Sequence, residues 1–198
     1  GPNRGSRVTF MRPEAASSRW AGIAEPDEAG PRAIAAYFRA FGPATIDNFQ
    51  SWLARGWIGA RRVRAWLAEL GPRLVEVTVG GEARLVLAED VDGLLAARPS
   101  SAVRLLAGFD QYVLGPGTDD EHIVPAGRRS AVSKQSGWIA PIVVARGVVA
   151  GTWELAGDDV RIAWFGETGP PPLSRLEAEV DRLGLVLGRA LRARILPS

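Results

Sequence analysis

Basic side chains without neighbouring acids are concentrated on one predicted helix. Residues 58–68 contain three arginines and no acidic residue, and a fourth arginine comes shortly before them. A guanidinium group donates paired hydrogen bonds that match phosphate oxygens and the edge of guanine. The sequence therefore indicates a DNA contact on this helix. The four candidate residues are Arg55, Arg61, Arg62 and Arg64.

Helical periodicity predicts that these arginines lie outside the core. With Val63 at the centre of the buried face, and about 100° of rotation per residue, Arg61 points outward together with Ala65 and Ala68. Small residues and a few long donors suit a helix that enters a DNA major groove about 12 Å wide. A solvated arginine face is the alternative, because Lys134 is the one lysine among 24 basic residues.

Basic side chains elsewhere are further candidates for DNA backbone contacts. Arg128, Arg129 and Lys134 fall in a predicted loop, where they could follow a nucleic-acid backbone. Arg84 lies in a predicted hairpin and could reach a neighbouring phosphate. Trp138, near the loop, gives only weak support for stacking of unpaired bases. The arginines after residue 188 fit a solvated helix end better than a binding site.

The residue types present exclude most catalytic sites. Without cysteine the chain has no thiol nucleophile, disulfide or Cys-ligated zinc, and His122 is its one histidine. The run from Asp119 to His122 is not expected to hold a metal, because adjacent side chains point apart. Glycine-rich phosphate loops are missing as well. We therefore predict no catalytic residue, no metal and no cofactor.

Composition and patterning indicate a soluble protein of the cytoplasm. The 198 residues are 46% hydrophobic and 23% charged, with a net charge of +2, and no apolar run is long enough to span a membrane. Residues 1–30 are interpreted as a purification-tag remnant at Gly1-Pro2, a short strand at residues 8–11, and a linker.

Residues 31–97 have the element order of a winged helix, which is three helices and a β-hairpin. Pro31 is predicted to begin the first helix, which ends before Gly42, and Thr45 to cap the second. The third helix spans residues 60–70, and Gly80-Gly81 joins two β-branched runs.

Residues 98–198 are predicted to form a small antiparallel sheet or β-barrel with a closing C-terminal helix. Strands are expected at residues 103–106, 139–145, 148–155 and 160–165. Ser174 and Glu177 have the spacing of a capping box, and the apolar stripe of the helix extends to Ile195. The fold class is therefore α+β.

Three segments carry a resemblance to a known family. They are residues 37–45 leading into Phe49 and Trp52, residues 105–115, and the pair of segments 138–141 and 149–153. They are similar to the C-terminal portion of a bacterial winged-helix DNA-binding family. This family includes the DNA glycosylases that unhook interstrand crosslinks. The resemblance covers residues 8 to about 191.

The resemblance implies tandem winged helices and a small barrel around duplex DNA, including damaged or crosslinked duplex. In the glycosylase members, catalysis is attributed to a Gln-(apolar)-Gln or Gln-(apolar)-Asp motif in an N-terminal winged helix. Gln50, Gln111 and Gln135 do not form this motif here. We therefore expect the N-terminal domains, and the catalytic motif with them, to be missing from this chain. Asp110 is interpreted as a turn-forming residue.

Two non-catalytic alternatives remain open from the sequence. A winged helix also serves in transcriptional regulators and in protein–protein interaction modules, so the fold alone does not decide the function.

Overall fold

The first half of the protein is helical and ends in a β-hairpin. The computed structural model describes residues 2, 5, 7–54 and 57–196. The elements of this half are α1 (Pro13–Ala16), α2 (Pro26–Phe41), α3 (Ile46–Ala54), α4 (Ala60–Leu70), β1 (Leu74–Val79) and β2 (Glu82–Leu87). No helix in the described part of the chain is both long enough and apolar enough to cross a membrane.

The N-terminal region differs from the sequence prediction. Residues 8–11 form no strand, and α2 begins at Pro26 rather than Pro31. Pro26 suits the first turn, and the carboxylates of Asp27 and Glu28 favour the positive end of the helix dipole. Pro31 therefore lies inside the helix. Beside it, Gly30 lets the indole of Trp66 on α4 approach the backbone, because a Cβ at this position would overlap the ring.

The predicted second helix, third helix and hairpin are confirmed. Thr45 caps α3, since its Oγ1 accepts a hydrogen bond from the backbone N–H of Asn48 at 3.1 Å. In the hairpin Val79 pairs with Glu82 across the two-residue turn Gly80-Gly81. Both glycines have positive φ, at 60° and 88°, as a two-residue hairpin turn requires.

One hydrophobic core joins the helices to the hairpin. Tyr37 and Phe38 of α2, Phe49 of α3 and Val63 of α4 are almost completely buried in it, together with Leu87 of β2. An isolated bridge between Ala44 and Leu85 pairs the α2–α3 connection with the hairpin. Burial of these side chains fixes which face of each helix points outward.

The second half contains a five-stranded open sheet. The strands follow one another in the order β3 (Val103–Leu106), β4 (Ile142–Ala145), β5 (Val148–Ala156), β6 (Asp159–Trp164) and β7 (Arg192–Ile195). The first three pairings are antiparallel, and the pairing of β6 with β7 is parallel. Because β3 and β7 form two separate edges, the sheet does not close into the barrel that the sequence left open as an alternative.

Three short helices and one long helix complete this half. They are α5 (Val91–Ala96), α6 (Gln111–Leu114), α7 (Arg129–Val132) and α8 (Leu173–Leu187). The long helix ends at Leu187, and Gly188 follows in the left-handed conformation with φ of 68°. The predicted continuation of the helix to Ile195 is therefore wrong, and Arg192–Ile195 form a parallel edge strand instead. The predicted cap at Ser174 is also wrong, since α8 begins at Leu173 without a side-chain cap.

Glu179 on α8 is a buried carboxylate that ties the helix to the edge strand. It accepts a hydrogen bond from the backbone N–H of Leu105 at 3.0 Å and two bonds from Arg182 at 2.7 Å each. Burial opposes its ionisation, but the hydrogen bonds from Arg182 and Leu105 outweigh that effect, and the pKa of Glu179 lies below its usual value.

We expect the Glu179→Gln substitution to destabilise the fold by about 1–3 kcal/mol at pH 7, because it removes the charge that holds Arg182 and the strand. A carboxyl group whose pKa is lowered on folding contributes stability above its unfolded pKa, and this contribution is lost as the pH falls through the folded pKa. Urea unfolding should therefore show a difference between variant and wild type that shrinks as the pH falls below the ordinary glutamate pKa of 4.5. A difference independent of pH would contradict this role for the charge.

Candidate nucleic-acid interface

The outer face of α4 carries exposed arginines beside small residues. Val63 and Trp66 point into the core, whereas Arg61, Arg64 and Ala65 are exposed, as helical periodicity predicts. Neither Arg61 nor Arg64 forms an ion pair with any residue that the structure describes. Their charges are therefore not neutralised by described carboxylates, and their long side chains face solvent.

Arg62 lies at the edge of this face and has an internal partner. Its Nε is 3.0 Å from Oδ1 of Asp27 on α2, and the same oxygen accepts a hydrogen bond from the Trp66 indole at 2.9 Å. Both Arg62 and Asp27 are more than half exposed, so the pair is weak and screened by salt. Arg62 can exchange this partner for a phosphate at little cost.

Trp57 is a feature of this surface that the sequence reasoning missed. It lies just before α4, and 92% of its surface is exposed. With Ile58, Arg61 and Ala65 it lines a shallow groove of about 770 Å³ along the helix. The neighbouring Ile58 is only partly exposed, so the two consecutive apolar residues point in different directions. The predicted contact Arg55 lies outside the described residues.

Arg84 is buried, in contrast to the surface position that the sequence predicts. Its Nη1 donates to Oδ2 of Asp120 at 2.7 Å, and its Nη2 donates to Oε2 of Glu82 at 2.9 Å. The side chain of Arg84 is 9% exposed and that of Asp120 is 6% exposed. Both terminal nitrogens of the guanidinium are therefore occupied inside the protein, and we leave Arg84 out of the proposed interface.

The ion pair of Arg84 with Asp120 controls the charge state of both groups. Burial opposes ionisation of Asp120, but hydrogen bonds from Arg84 and His122 outweigh it, and the pKa of Asp120 lies below its usual value. Burial also disfavours the charge on Arg84, yet its bonds to Asp120 and Glu82 raise its pKa. Both groups remain charged at neutral pH and join β2 to the segment after α6.

Of the three cations predicted to lie in one loop, one is paired and two are exposed, and Arg129 begins the short helix α7 instead of lying in a loop. Arg128 forms a bidentate ion pair with Glu167, with N···O distances of 2.6 and 2.7 Å. The hydrogen bonds from Arg128 lower the pKa of Glu167 to about 2. Arg129 and Lys134 are exposed, and Arg129 makes only a long 3.4 Å contact with the Thr118 hydroxyl. The last two residues are thus the ones with side chains available to DNA.

Asp110, Gln111 and Gln135 form hydrogen bonds or are exposed, and the third glutamine singled out by the sequence, Gln50, is half-buried on α3. Asp110 caps α6, because its Oδ1 accepts the N–H of Tyr112 at 2.8 Å, which confirms its interpretation as a turn residue. Gln111 accepts a hydrogen bond from the Trp52 indole at 3.1 Å, and Gln135 is exposed in a turn. These contacts assign no chemical step to the three groups.

Comparison with known proteins gives one consistent result. The sequence matches the AlkZ-like DNA glycosylases over residues 1–186. It is 41% identical over 189 residues to an interstrand DNA cross-link repair glycosylase of Streptomyces sahachiroi, a match that covers 95% of this chain and 51% of the relative. The structure superposes on the Streptomyces sahachiroi DNA glycosylase AlkZ with a TM-score of 0.92, over 99% of this chain and 53% of that one.

The chain thus spans about half the length of the relative that it matches. The agreement of sequence and structure over nearly all of this chain shows its family. The protein belongs to the AlkZ-like DNA glycosylases.

Proposed function

We propose that this chain is the DNA-holding portion of a glycosylase that repairs damaged or crosslinked duplex DNA. The observation that carries the proposal is the exposed face of α4, where Arg61 and Arg64 have no described counter-charge. Membership of a DNA glycosylase family supports the proposal, because such enzymes must bind DNA. The Streptomyces sahachiroi relative is named for interstrand cross-link repair, which suggests the substrate.

In this proposal α2, α3, α4 and the β1–β2 hairpin act as a winged helix. The α4 helix enters the major groove, since Ala65 and Ala68 leave room for close approach. Arg61 and Arg64 contact phosphates or base edges, and Arg62 contributes once it leaves Asp27. Trp57 packs against the DNA backbone at the start of the helix. Arg129 and Lys134 bind phosphates further along the duplex.

The proposal places base excision outside this chain. Excision requires a polar group that positions water and stabilises an oxocarbenium-like sugar. The resemblance attributes this role to a Gln-(apolar)-Gln or Gln-(apolar)-Asp motif, which residues 1–198 do not contain. This chain would then supply orientation and affinity, which keep the damaged nucleotide in place while another part of the protein reacts with it.

Two measurements test this division of roles. Fluorescence anisotropy with a labelled 20-base-pair duplex at about 50 mM salt should show binding by the chain alone, because phosphate neutralisation is strongest at low ionic strength. Incubation of the same chain with duplex containing an alkylated purine should release no base. Absence of duplex binding would contradict the DNA-holding role, and release of the base would contradict the proposed location of the chemistry.

A further inference from the structure

Two exposed aromatic rings lie in contact on the second half of the protein. Phe109 and Trp138 are 45% and 58% exposed, and their ring centroids are 5.0 Å apart in an edge-to-face arrangement. Aromatic rings such as Tyr37 and Phe49 are instead buried in the core. The exposed pair leaves apolar ring surface in water, and a third flat ring could cover this surface.

The backbone holds Phe109 in this position against its own preference. Its φ of 61° lies in the left-handed region, which favours glycine and is unusual for a bulky aromatic residue. The adjacent Gly108 fixes the turn, because a Cβ there would lie 2.9 Å from the carbonyl oxygen of Ile139. On the C-terminal side of Phe109, Asp110 fixes the backbone by capping α6. Strain maintained at an exposed side chain is typical of binding sites.

Trp138 is positioned by a closed loop. The backbone N–H of Lys134 donates to the carbonyl of Trp138 at 2.7 Å, and the N–H of Trp138 donates to the carbonyl of Gln135 at 3.4 Å. Within the loop Ser136 also has a positive φ of 61°. Both aromatic residues therefore lie in turns whose backbone conformation is constrained.

A groove of about 740 Å³ begins at Phe109 and extends between α3 and α7. This volume lies within the range of small-molecule sites. Asp47, Ser51 and Asp119 line it with hydrogen-bond acceptors, and Arg129 lines it with a cation. The two carboxylates repel a phosphate but accept hydrogen bonds from the exocyclic amino group of a base. Arg129, and the exposed Lys134 in the adjoining loop, favour phosphates beside the groove.

We propose that Phe109, Trp138 and the adjoining groove bind an unpaired nucleobase of the DNA. The base stacks on the aromatic pair, its amino group faces the carboxylates, and its flanking phosphates lie against Arg129 and Lys134. This inference rests on the proposed function and deepens it. It adds a second, base-directed contact to the phosphate contacts of α4, and it favours DNA in which a base has left the duplex.

The test compares a fully paired duplex with the same duplex carrying one bulged 2-aminopurine. Stacking of one base on aromatic side chains corresponds to about a 5- to 150-fold gain in affinity. Wild-type protein should therefore bind the bulged duplex at least fivefold more tightly. Because stacking quenches 2-aminopurine, its emission should also fall on binding.

The Phe109→Gly substitution removes the aromatic ring without disturbing the backbone, so it distinguishes an effect on base binding from an effect on folding. Glycine accepts the positive φ, so the unfolding temperature should stay the same or rise. The preference for the bulged duplex and the quenching of 2-aminopurine should both be lost. Trp138→Leu should weaken both, whereas Trp20→Leu, at an exposed aromatic residue outside the groove, should leave both unchanged.

The outcomes distinguish this inference from the proposed function. Equal affinity of the wild type for both duplexes, or a preference that survives in Phe109→Gly, would overturn the nucleobase site and leave duplex binding intact. Loss of duplex binding, with Phe109-dependent binding of single-stranded DNA, would overturn the proposed function and leave the nucleobase site. Binding of neither DNA would overturn both.

Discussion

Replacing Arg84 with alanine is expected to lower the free energy of unfolding by about 3–5 kcal/mol. The substitution leaves the carboxylate of Asp120 buried without its cationic partner, and an unpaired buried charge is among the most destabilising defects in a protein. The same substitution removes the ion pair that connects β2 to the segment after α6. Urea unfolding followed by tryptophan fluorescence measures the effect.

Arg128→Ala is the matched control for this prediction. It also removes an arginine that bonds closely to a carboxylate, but Arg128 and Glu167 are each about 40% exposed. Solvent screens this pair, so its loss should cost far less stability than the loss of the buried pair. If Arg84→Ala costs no more than Arg128→Ala, the buried pair does not hold the two segments together.

A double substitution tests the cause of the destabilisation. Arg84→Met with Asp120→Leu removes both charges and keeps apolar volume, so it should recover much of the stability lost by Arg84→Ala. Arg84→Met alone should remain strongly destabilised, since the carboxylate of Asp120 would still be buried without its arginine partner. Equal stability of the single and double variants would mean that shape, and not charge, is what the site requires.

The position of Arg84 shows what sequence reasoning can and cannot recover. Residues 84 and 86 share one face of β2 and residues 85 and 87 share the other, and apolar side chains occupy both faces, so strand alternation did not indicate that Arg84 is buried. Its main partner could not be inferred, because Asp120 is distant in sequence and reaches Arg84 only through tertiary folding. The same limit applies to the contact between Phe109 and Trp138.

Local periodicity was sufficient to predict which face of α4 is exposed, but it was insufficient to predict the secondary structure after Leu187. In α4 the spacing of Val63, Trp66 and Leu70 allows one orientation, so the outward position of Arg61 followed from the sequence. After Leu187 the alternation of arginine with apolar residues fits a helix end or a short strand. Gly188 was the available stop signal, and pairing with β6 decides the outcome.

The charges on α4 should dominate the salt dependence of DNA binding. Each phosphate neutralised by an arginine contributes about −0.9 to the slope of log K against log salt concentration. Arg61→Ala with Arg64→Ala should therefore make the slope less steep by about 2 and weaken binding at 50 mM salt by at least tenfold. Removing the same number of charges elsewhere, as in Arg32→Ala with Arg161→Ala, should leave the slope nearly unchanged.

The most direct test of the DNA-holding role is the slope of log K against log salt concentration for one duplex, measured in parallel for the wild type and the Arg61→Ala/Arg64→Ala variant. Our account predicts tight binding by the wild type at low salt, a steep negative slope, and a slope shallower by about 2 in the variant. Identical slopes for the two proteins, or no duplex binding by the wild type at 50 mM salt, would contradict it.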